Sequence, residues 1–441
     1  MKRLLSLLLC AVLALLCATT AQAAGVSITL TASEYALHYA FDAGAQDPFV
    51  ILEYATPAEK GWMMLYSADG HFEGDVSLAY SGAGGKTTVT LTSARTTGSI
   101  GKTSTTLPKA ADYQKPTGKS NAKVTDFVLT ETPEGFHYAF NAAGTDYMLL
   151  YWRSKEQTVT QPVYPDENGH YEGDVVSELT FARTQFTVQV KSGSGSMKKE
   201  ATVRKGYQAP EAPQRQEGRL SGVTVCIDAG HQENGRFVNE PIGPGLSGST
   251  SGKGGMAQGT KTNRRESIVC LEIGMLLRDE LLRQGANVVM TREDQTTFHT
   301  NIERCEIAEA GGAQIMLRLH CNNSSNRSKR GIQVYGPLNS DYAKAVADAD
   351  TYREMGQKLL DAMKTRVGMT LANSTGMVRL NDNYVGNNWA KMMCFLVEMG
   401  YLSNPAEEYL LVTPVYQQWL AEGMADGVYE IAVARGWVQA Q

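Results

Sequence analysis

The sequence predicts a multidomain chain: two tandem Ig-like β-sandwich repeats, followed by an α/β domain with a central sheet flanked by helices. Three observations predict it. First, three blocks recur at one offset of 99 residues. Leu30-Thr31 returns as Leu129-Thr130. His38-Tyr39-Ala40-Phe41-Asp42 returns as His137-Tyr138-Ala139-Phe140-Asn141. Gly70-His71-Phe72-Glu73-Gly74-Asp75-Val76 returns as Gly169-His170-Tyr171-Glu172-Gly173-Asp174-Val175. A single shared offset marks a duplicated unit. Second, each unit reads as short alternating strands separated by turn residues, about seven in roughly 90 residues, which is sandwich spacing. Third, beyond Arg219 the pattern changes to strands alternating with helices, which argues for one layered α/β domain. The expected boundaries are 1–23 for a leader, 24–105 and 122–206 for the repeats, 106–121 and 207–219 for linkers, and 220–441 for the α/β domain.

The leader opens on Met1-Lys2-Arg3, continues as an apolar run from Leu4 to about Ala18, and ends at Ala21-Gln22-Ala23. A basic start, a short apolar core and small residues at the cleavage positions read as a secretory signal cut after Ala23. The apolar run is shorter than the ~20 residues that a membrane span needs. Leu16 precedes Cys17, so lipid attachment there is not expected. No later stretch is apolar for 18 uninterrupted residues. The mature chain is therefore expected outside the cytoplasm, as a secreted protein with no integral membrane segment.

Within the repeats, His38–Phe41, Phe49–Tyr54, Thr87–Leu91, Tyr147–Trp152 and Phe186–Val190 read as strands. Asp69-Gly70 and Asn168-Gly169 read as turns. Pro108 and Pro116 among lysines mark the first linker, and Pro210 and Pro213 the second. Trp62, Tyr66, Tyr151, Trp152 and Tyr164 are candidates for stacking on sugars, but strand aromatics usually belong to a core.

The α/β domain begins with a buried strand, Val223–Asp228. Glu266–Arg283 has apolar residues at helical spacing. Asn287–Met290 is a strand and Ile302–Ala310 a helix. Gln314–Leu319 and Ile332–Tyr335 are strands. Lys344–Val367 reads as one long helix, Met393–Val397 as a strand, and Val415–Ala434 as a closing helix after Pro414.

Composition narrows the function. With 41 basic and 46 acidic residues the formal charge is −5, so there is no cationic excess to neutralise phosphates, and nucleic-acid binding is not expected. Of 7 cysteines, Cys10 and Cys17 leave with the leader. Cys226, Cys270, Cys305, Cys321 and Cys394 remain, all in the α/β domain and none in a C-x-x-C pair. They read as small buried apolar residues rather than a disulfide framework, with a single disulfide as the alternative.

The chemistry lies at strand ends. His231 and His320 each close a buried apolar strand, where ligands of open α/β folds collect. Glu398 closes another, after Cys394-Phe395-Leu396-Val397. A carboxylate there is costly unless paired, hydrogen-bonded or near a metal. Glu266 opens a helix and supplies a second carboxylate. Two histidines and one carboxylate with a fourth position open to water form a catalytic zinc set, and the other carboxylate can move a proton. Satisfied core histidines beside a buried salt bridge would leave the same pattern.

Ile227-Asp228-Ala229-Gly230-His231-Gln232 and Arg265-Glu266 before an apolar helix resemble the first metal motifs of the zinc-dependent N-acetylmuramoyl-L-alanine amidase family. Thr291-Arg292 also fits. Leu317-Arg318-Leu319-His320-Cys321-Asn322 resembles that family's strand ending in His-Ala-Asn. Leu396 through Pro405, Leu-Val-Glu-Met-Gly-Tyr-Leu-Ser-Asn-Pro, is similar to its final motif. The resemblance spans about Val223 to Trp437. It implies a zinc-hydrolase domain with one Zn2+ held by His231, Glu266 and His320, Glu398 as the catalytic carboxylate, and peptidoglycan as the substrate. Arg318 and Asn322 are candidate substrate contacts, with a structural ion pair as the alternative for Arg318. His299 sits in a polar stretch and reads as solvated. The loop between the first two ligands is long and glycine-rich, and its 241–259 stretch is a candidate lid. Cys321 stands where the family has alanine and should point away from the His320 face. The alternatives are a zinc peptidase acting on wall peptides and an inactive wall-binding or regulatory protein.

Overall fold

The computed structural model describes residues 19–22, 26–96, 98–117, 122–177, 185–204, 209–232, 238–250, 255–368 and 378–440. Most of the leader and the middle of the glycine-rich loop (251–254) therefore lie outside the described residues. The chain divides into two compact units, Met1–Tyr207 and Gln208–Gln441.

The N-terminal unit is built from β-strands. They are β1 (Thr19–Gln22), β2 (Ser27–Ser33), β3 (Ala36–Asp42), β4 (Phe49–Ala55), β5 (Glu59–Tyr66), β6 (His71–Ser77), β7 (Gly85–Ser93) and β8 (Ser99–Leu107). The second repeat supplies β9 (Thr125–Thr132), β10 (Gly135–Asn141), β11 (Met148–Arg153), β12 (Gln157–Val163), β13 (His170–Val176), β14 (Gln185–Lys191) and β15 (Met197–Arg204). In the first repeat β2-β3-β6 form one sheet, with β1 on its edge, and β5-β4-β7-β8 form the other. Leu37, Tyr39 and Phe41 of one sheet meet Val50, Leu52, Val89 and Leu91 of the other in a single buried cluster. Alternate residues thus face a shared core, as two packed sheets require. The second repeat copies this with β9-β10-β13 against β12-β11-β14-β15.

The two larger sheets are continuous, because β5 pairs antiparallel with β12 through Glu59–Val159 and Gly61–Gln157. Glu59 is buried at this seam and accepts hydrogen bonds from Tyr80 N, Ser81 Oγ and Gln157 Nε2. Its charge is satisfied there, as burial demands. Trp62 and Trp152 are core residues, Tyr66 and Tyr164 are exposed, and Tyr151 lies under the Lys191 ammonium at 3.9 Å.

The repeated turn carries a testable asymmetry. Gly70 and Gly169 both adopt positive φ, at 83° and 76°. A Cβ at Gly70 would lie 2.2 Å from the Gly44 carbonyl carbon, whereas at Gly169 the nearest atom is 3.4 Å away. Gly70→Ala should therefore cost about 2 kcal/mol or more, from left-handed strain plus a backbone clash. Gly169→Ala should cost about 1 kcal/mol, from strain alone. Chemical denaturation of the two single variants compares them directly, and equal costs would refute the steric argument.

The C-terminal unit holds a six-stranded sheet in the order β17-β16-β18-β21-β19-β20. Its elements are β16 (Thr224–Ala229), α1 (Glu266–Arg283), β17 (Asn287–Met290), α2 (Asn301–Ala310), β18 (Ile315–Asn322), β19 (Gln333–Gly336), α3 (Asp341–Val346), α4 (Ala349–Val367), β20 (Val378–Leu380), α5 (Val385–Trp389), β21 (Met393–Tyr401), α6 (Glu407–Leu411) and α7 (Pro414–Ala434). β17, β16, β18 and β21 run parallel, while β19 is antiparallel to β21. Both faces are covered. Ile227 and Leu319 face α1 at Gly274, and Cys226, Met316 and Cys394 pack with Cys305 and Ala308 of α2. All five cysteines are buried and free, as packing residues would be.

One expectation is corrected. The long helix over Lys344–Val367 is two helices, because Ala347 is extended and the Asp348 carboxylate accepts from Thr351 N to start α4 afresh. An aspartate N-cap satisfies donors that a continuous helix would already have used. The segment read as the second linker is fastened to the end of α1. Gln216 N donates to Leu282 O, and Arg215 Nη1 to Gly285 O.

Candidate active site

Parallel strands deliver the site. β16 and β18 are neighbours in register, as are β18 and β21, with His320 opposite Glu398. Three adjacent strands therefore end at one edge of the sheet, and α1 begins there with Glu266. His231 follows β16 in the left-handed region, at φ 56°. Gly230 makes this approach feasible, since a Cβ there would lie 2.5 Å from Leu319 O and 2.6 Å from the His320 ring.

His231, Glu266 and His320 converge. Their donor atoms all lie within 4.8 Å of one another. His231 Nε2 is 3.1 Å from Glu266 Oε2, and His320 Nδ1 is 3.0 Å from Glu266 Oε1. Ala257 N donates to Glu266 Oε2 at 2.7 Å and Cys321 N to Oε1 at 3.0 Å. Burial opposes the Glu266 charge, but His231 and His320 hold its carboxyl well below the usual range. Burial lowers His320, keeping it neutral, the form that binds a metal.

Glu398 lines the same cleft of about 800 Å3. Burial, and then the Glu266 charge, push its carboxyl up to about 8. Its Oε2 and the His320 Nε2 are buried without a hydrogen-bond partner. Buried polar atoms are seldom left so unless a ligand uses them. Two imidazoles, one carboxylate and these orphaned atoms fit a divalent metal with an open position.

The other expected residues are placed as follows. Arg318 lines the cleft, but its Nε donates to Asp228 at 2.9 Å and its Nη2 to Asn301 Oδ1 at 2.6 Å. Asn322 also lines the cleft, donating to Gln333 Oε1 at 3.2 Å and accepting from Asn323 N. His299, read as solvated, is half-buried on the cleft wall beside Phe298 and Thr300. Cys321 turns from the His320 face and shares a thiol hydrogen bond with Cys270 on α1. The described arms of the glycine-rich loop are pinned. Trp389 Nε1 donates to Pro241 O, Asn388 Nδ2 to Ile242 O and Asp341 N to Pro244 O. Glu240 accepts from Asn301 N and Ile302 N at the start of α2.

Two arginines that motif reading left without a role hold the segments around His231 and Glu266 in place. Arg292 donates to Ala229 O and Gly230 O, just before His231, and to Ser267 O, just after Glu266. One planar fork thus sets the spacing of two ligand-bearing segments. Burial, and then the Arg304 charge, lower its guanidinium to about 10. Arg304 pairs with Asp228 and donates to Ala229 O and the Gln232 side chain. A lysine has no fork, so Arg292→Lys should weaken divalent-metal affinity by roughly 10–100-fold, the range for supporting residues. Competition with a chromophoric chelator measures it, and an unchanged affinity would refute the clamp.

A mostly parallel sheet that brings two histidines and two glutamates to one edge is an arrangement that suits a metal-dependent hydrolase. Residues 225–430 match the family model described as N-acetylmuramoyl-L-alanine amidase, and this domain belongs to that family. The chain is 26% identical over 231 residues to the germination-specific N-acetylmuramoyl-L-alanine amidase of Bacillus subtilis, covering 49% of this chain and 83% of that one. It is 27% identical over 218 residues to the probable cell wall amidase LytH of Staphylococcus aureus, covering 48% of this chain and 60% of that one. Among solved structures, the Ami1 amidase of Mycobacterium smegmatis is similar at 17% identity and a TM-score of 0.44, covering 49% of this chain and 99% of that one. An amidase from Clostridium difficile 630 is similar at 24% identity and a TM-score of 0.38, covering 48% and 96%.

Proposed function

We propose that this chain is an exported, zinc-dependent N-acetylmuramoyl-L-alanine amidase whose Ig-like repeats precede the catalytic domain. The reaction is hydrolysis of the amide between the lactyl group of N-acetylmuramic acid and the L-alanine of the stem peptide. The observation that carries this reading is the converging His231, Glu266 and His320 set, with the unpartnered Oε2 of Glu398 in the same cleft. Zinc would be held by these three side chains, and would supply Lewis acidity for activating water and the amide carbonyl. Glu398 takes the proton from the attacking water and returns it to the departing amine of L-alanine. Burial favours both transfers by keeping the Glu398 pKa near the working pH. Arg292 and Arg304 keep the ligand-bearing segments fixed, so little reorganisation accompanies the reaction.

No helix among the described residues is long and apolar enough to cross a membrane. The leader motif supports export, which places the enzyme with its substrate in the wall. Digestion of purified peptidoglycan, read by mass, tests the reading. Intact stem peptides with free L-alanine amines should appear, and a strong chelator should abolish them until zinc is restored. Undiminished digestion by metal-free protein would overturn it, as would products cut within the stem.

A further inference from the structure

The duplicated blocks place an unused set of side chains on the solvent face of each repeat. On β3 and β6 the partners are His38–Asp75, Ala40–Glu73 and Asp42–His71. Successive strand residues alternate faces, so these six share one surface while Tyr39, Phe41 and Phe72 fill the core. His38 Nδ1 lies 3.0 Å from Asp75, and His71 Nδ1 lies 2.7 Å from Asp42. Their Nε2 atoms turn to opposite oxygens of one carboxylate, Glu73, at 3.3 and 3.7 Å.

The second repeat reproduces the set at the same offset. His137 Nδ1 is 2.9 Å from Asp174, and the Nε2 atoms of His137 and His170 face Glu172 at 3.2 and 3.8 Å. His170 Nδ1 meets Asn141 Oδ1 at 2.7 Å, and Asn141 Nδ2 donates to Asp126. The Asn141 NH2 group is committed to Asp126, so its oxygen is the atom that meets His170 Nδ1, and the ring is held with Nε2 towards Glu172.

We infer that each repeat binds one divalent transition-metal ion, of which zinc is the probe, through the two histidine Nε2 atoms and the intervening glutamate. Imidazole and carboxylate together select such ions over calcium or magnesium. Carboxylate partners on the non-ligating nitrogens are the usual support of metal-binding histidines. Ala40 and Ala139, opposite the glutamates, leave room above the sheet. These donors do not meet the 4.8 Å mutual spacing of the catalytic set, so binding draws in exposed side chains. Glu73 and Glu172 are about 60% exposed and free to swing. Core packing does not account for the repetition, since solvent-facing neighbours differ between repeats, as Ser77 and Val176 do.

The experiment is equilibrium dialysis of the metal-free full chain against zinc chloride at pH 7.5, with metal per chain read by mass spectrometry. Three equivalents are expected, one at the catalytic set and two weaker. His71→Ala combined with His170→Ala should leave one equivalent, and His320→Ala alone should leave two. Those two variants separate a failure of the repeat sites from a failure of the catalytic reading. Glu73→Gln with Glu172→Gln preserves the shape of the face and should weaken the two extra sites at least tenfold. A wild-type chain that takes one equivalent overturns the inference. So do extra equivalents that survive in both paired variants, a result that would leave the arrays as cross-strand ion pairs.

Discussion

Glu398→Gln is expected to lower the rate of stem-peptide release by roughly 1000-fold, within the range for loss of general acid–base catalysis. Zinc at the catalytic set should remain bound. Burial, and then the Glu266 charge, push the carboxyl up to about 8, so the neutral amide replaces a group whose charge is already disfavoured. Its Oε2 has no hydrogen-bond partner, and the fold loses no bond there. His320→Ala removes a ligand and should abolish both metal at that site and turnover. A Glu398→Gln enzyme with near-normal release would move the proton-transfer role elsewhere. One that also lost the catalytic zinc would make Glu398 part of the coordination.

The separation between those two outcomes was legible in the sequence, because each polar residue terminates its own apolar run. His231 follows β16, whereas His320 and Glu398 lie inside β18 and β21, which run on to Asn322 and Tyr401, just beyond the apolar runs that the sequence marks. Glu266 was legible as the start of α1, whose bounds match the periodic segment. The support of the site was not legible. Arg292 acts through backbone carbonyls of Ala229, Gly230 and Ser267, and carbonyls leave no trace in residue type. Arg304 sits on α2 and looks like an ordinary solvent-facing arginine until Asp228, 76 residues away, is placed against it. The break between α3 and α4 did carry a signal, an aspartate three residues before Thr351, but the apolar spacing on both sides masked it. In the repeats the strands were legible from alternation. The pairing of β5 with β12 was not, because register between distant strands depends on tertiary packing.

Asp228→Ala should have the largest effect on stability. The carboxylate is fully buried and receives Arg304, Arg318 at 2.9 Å and Thr291 Oγ1 at 2.8 Å. Burial alone would raise its pKa, yet the two guanidinium groups hold it far below the carboxylate range. Its removal strands two buried cations, and breaking such a pair costs about 3–5 kcal/mol. For a unit of this size that lowers the unfolding midpoint by roughly 10 °C. Asp228→Asn keeps the shape but not the charge, so it should recover little. The pH sign follows from the lowered pKa. The stabilisation is present above the carboxyl's unfolded value near 4 and is lost as pH falls towards its folded value. Calorimetry at pH 7 and pH 3 should show the wild-type advantage over Asp228→Asn shrinking at the acidic end. Asp228 also joins Arg304 to the strand that carries His231, so the variant should bind zinc more weakly even below its melting temperature. A variant with wild-type stability and affinity would mean that the two arginines find other partners, and that the ligand-bearing strand is held by Arg292 alone.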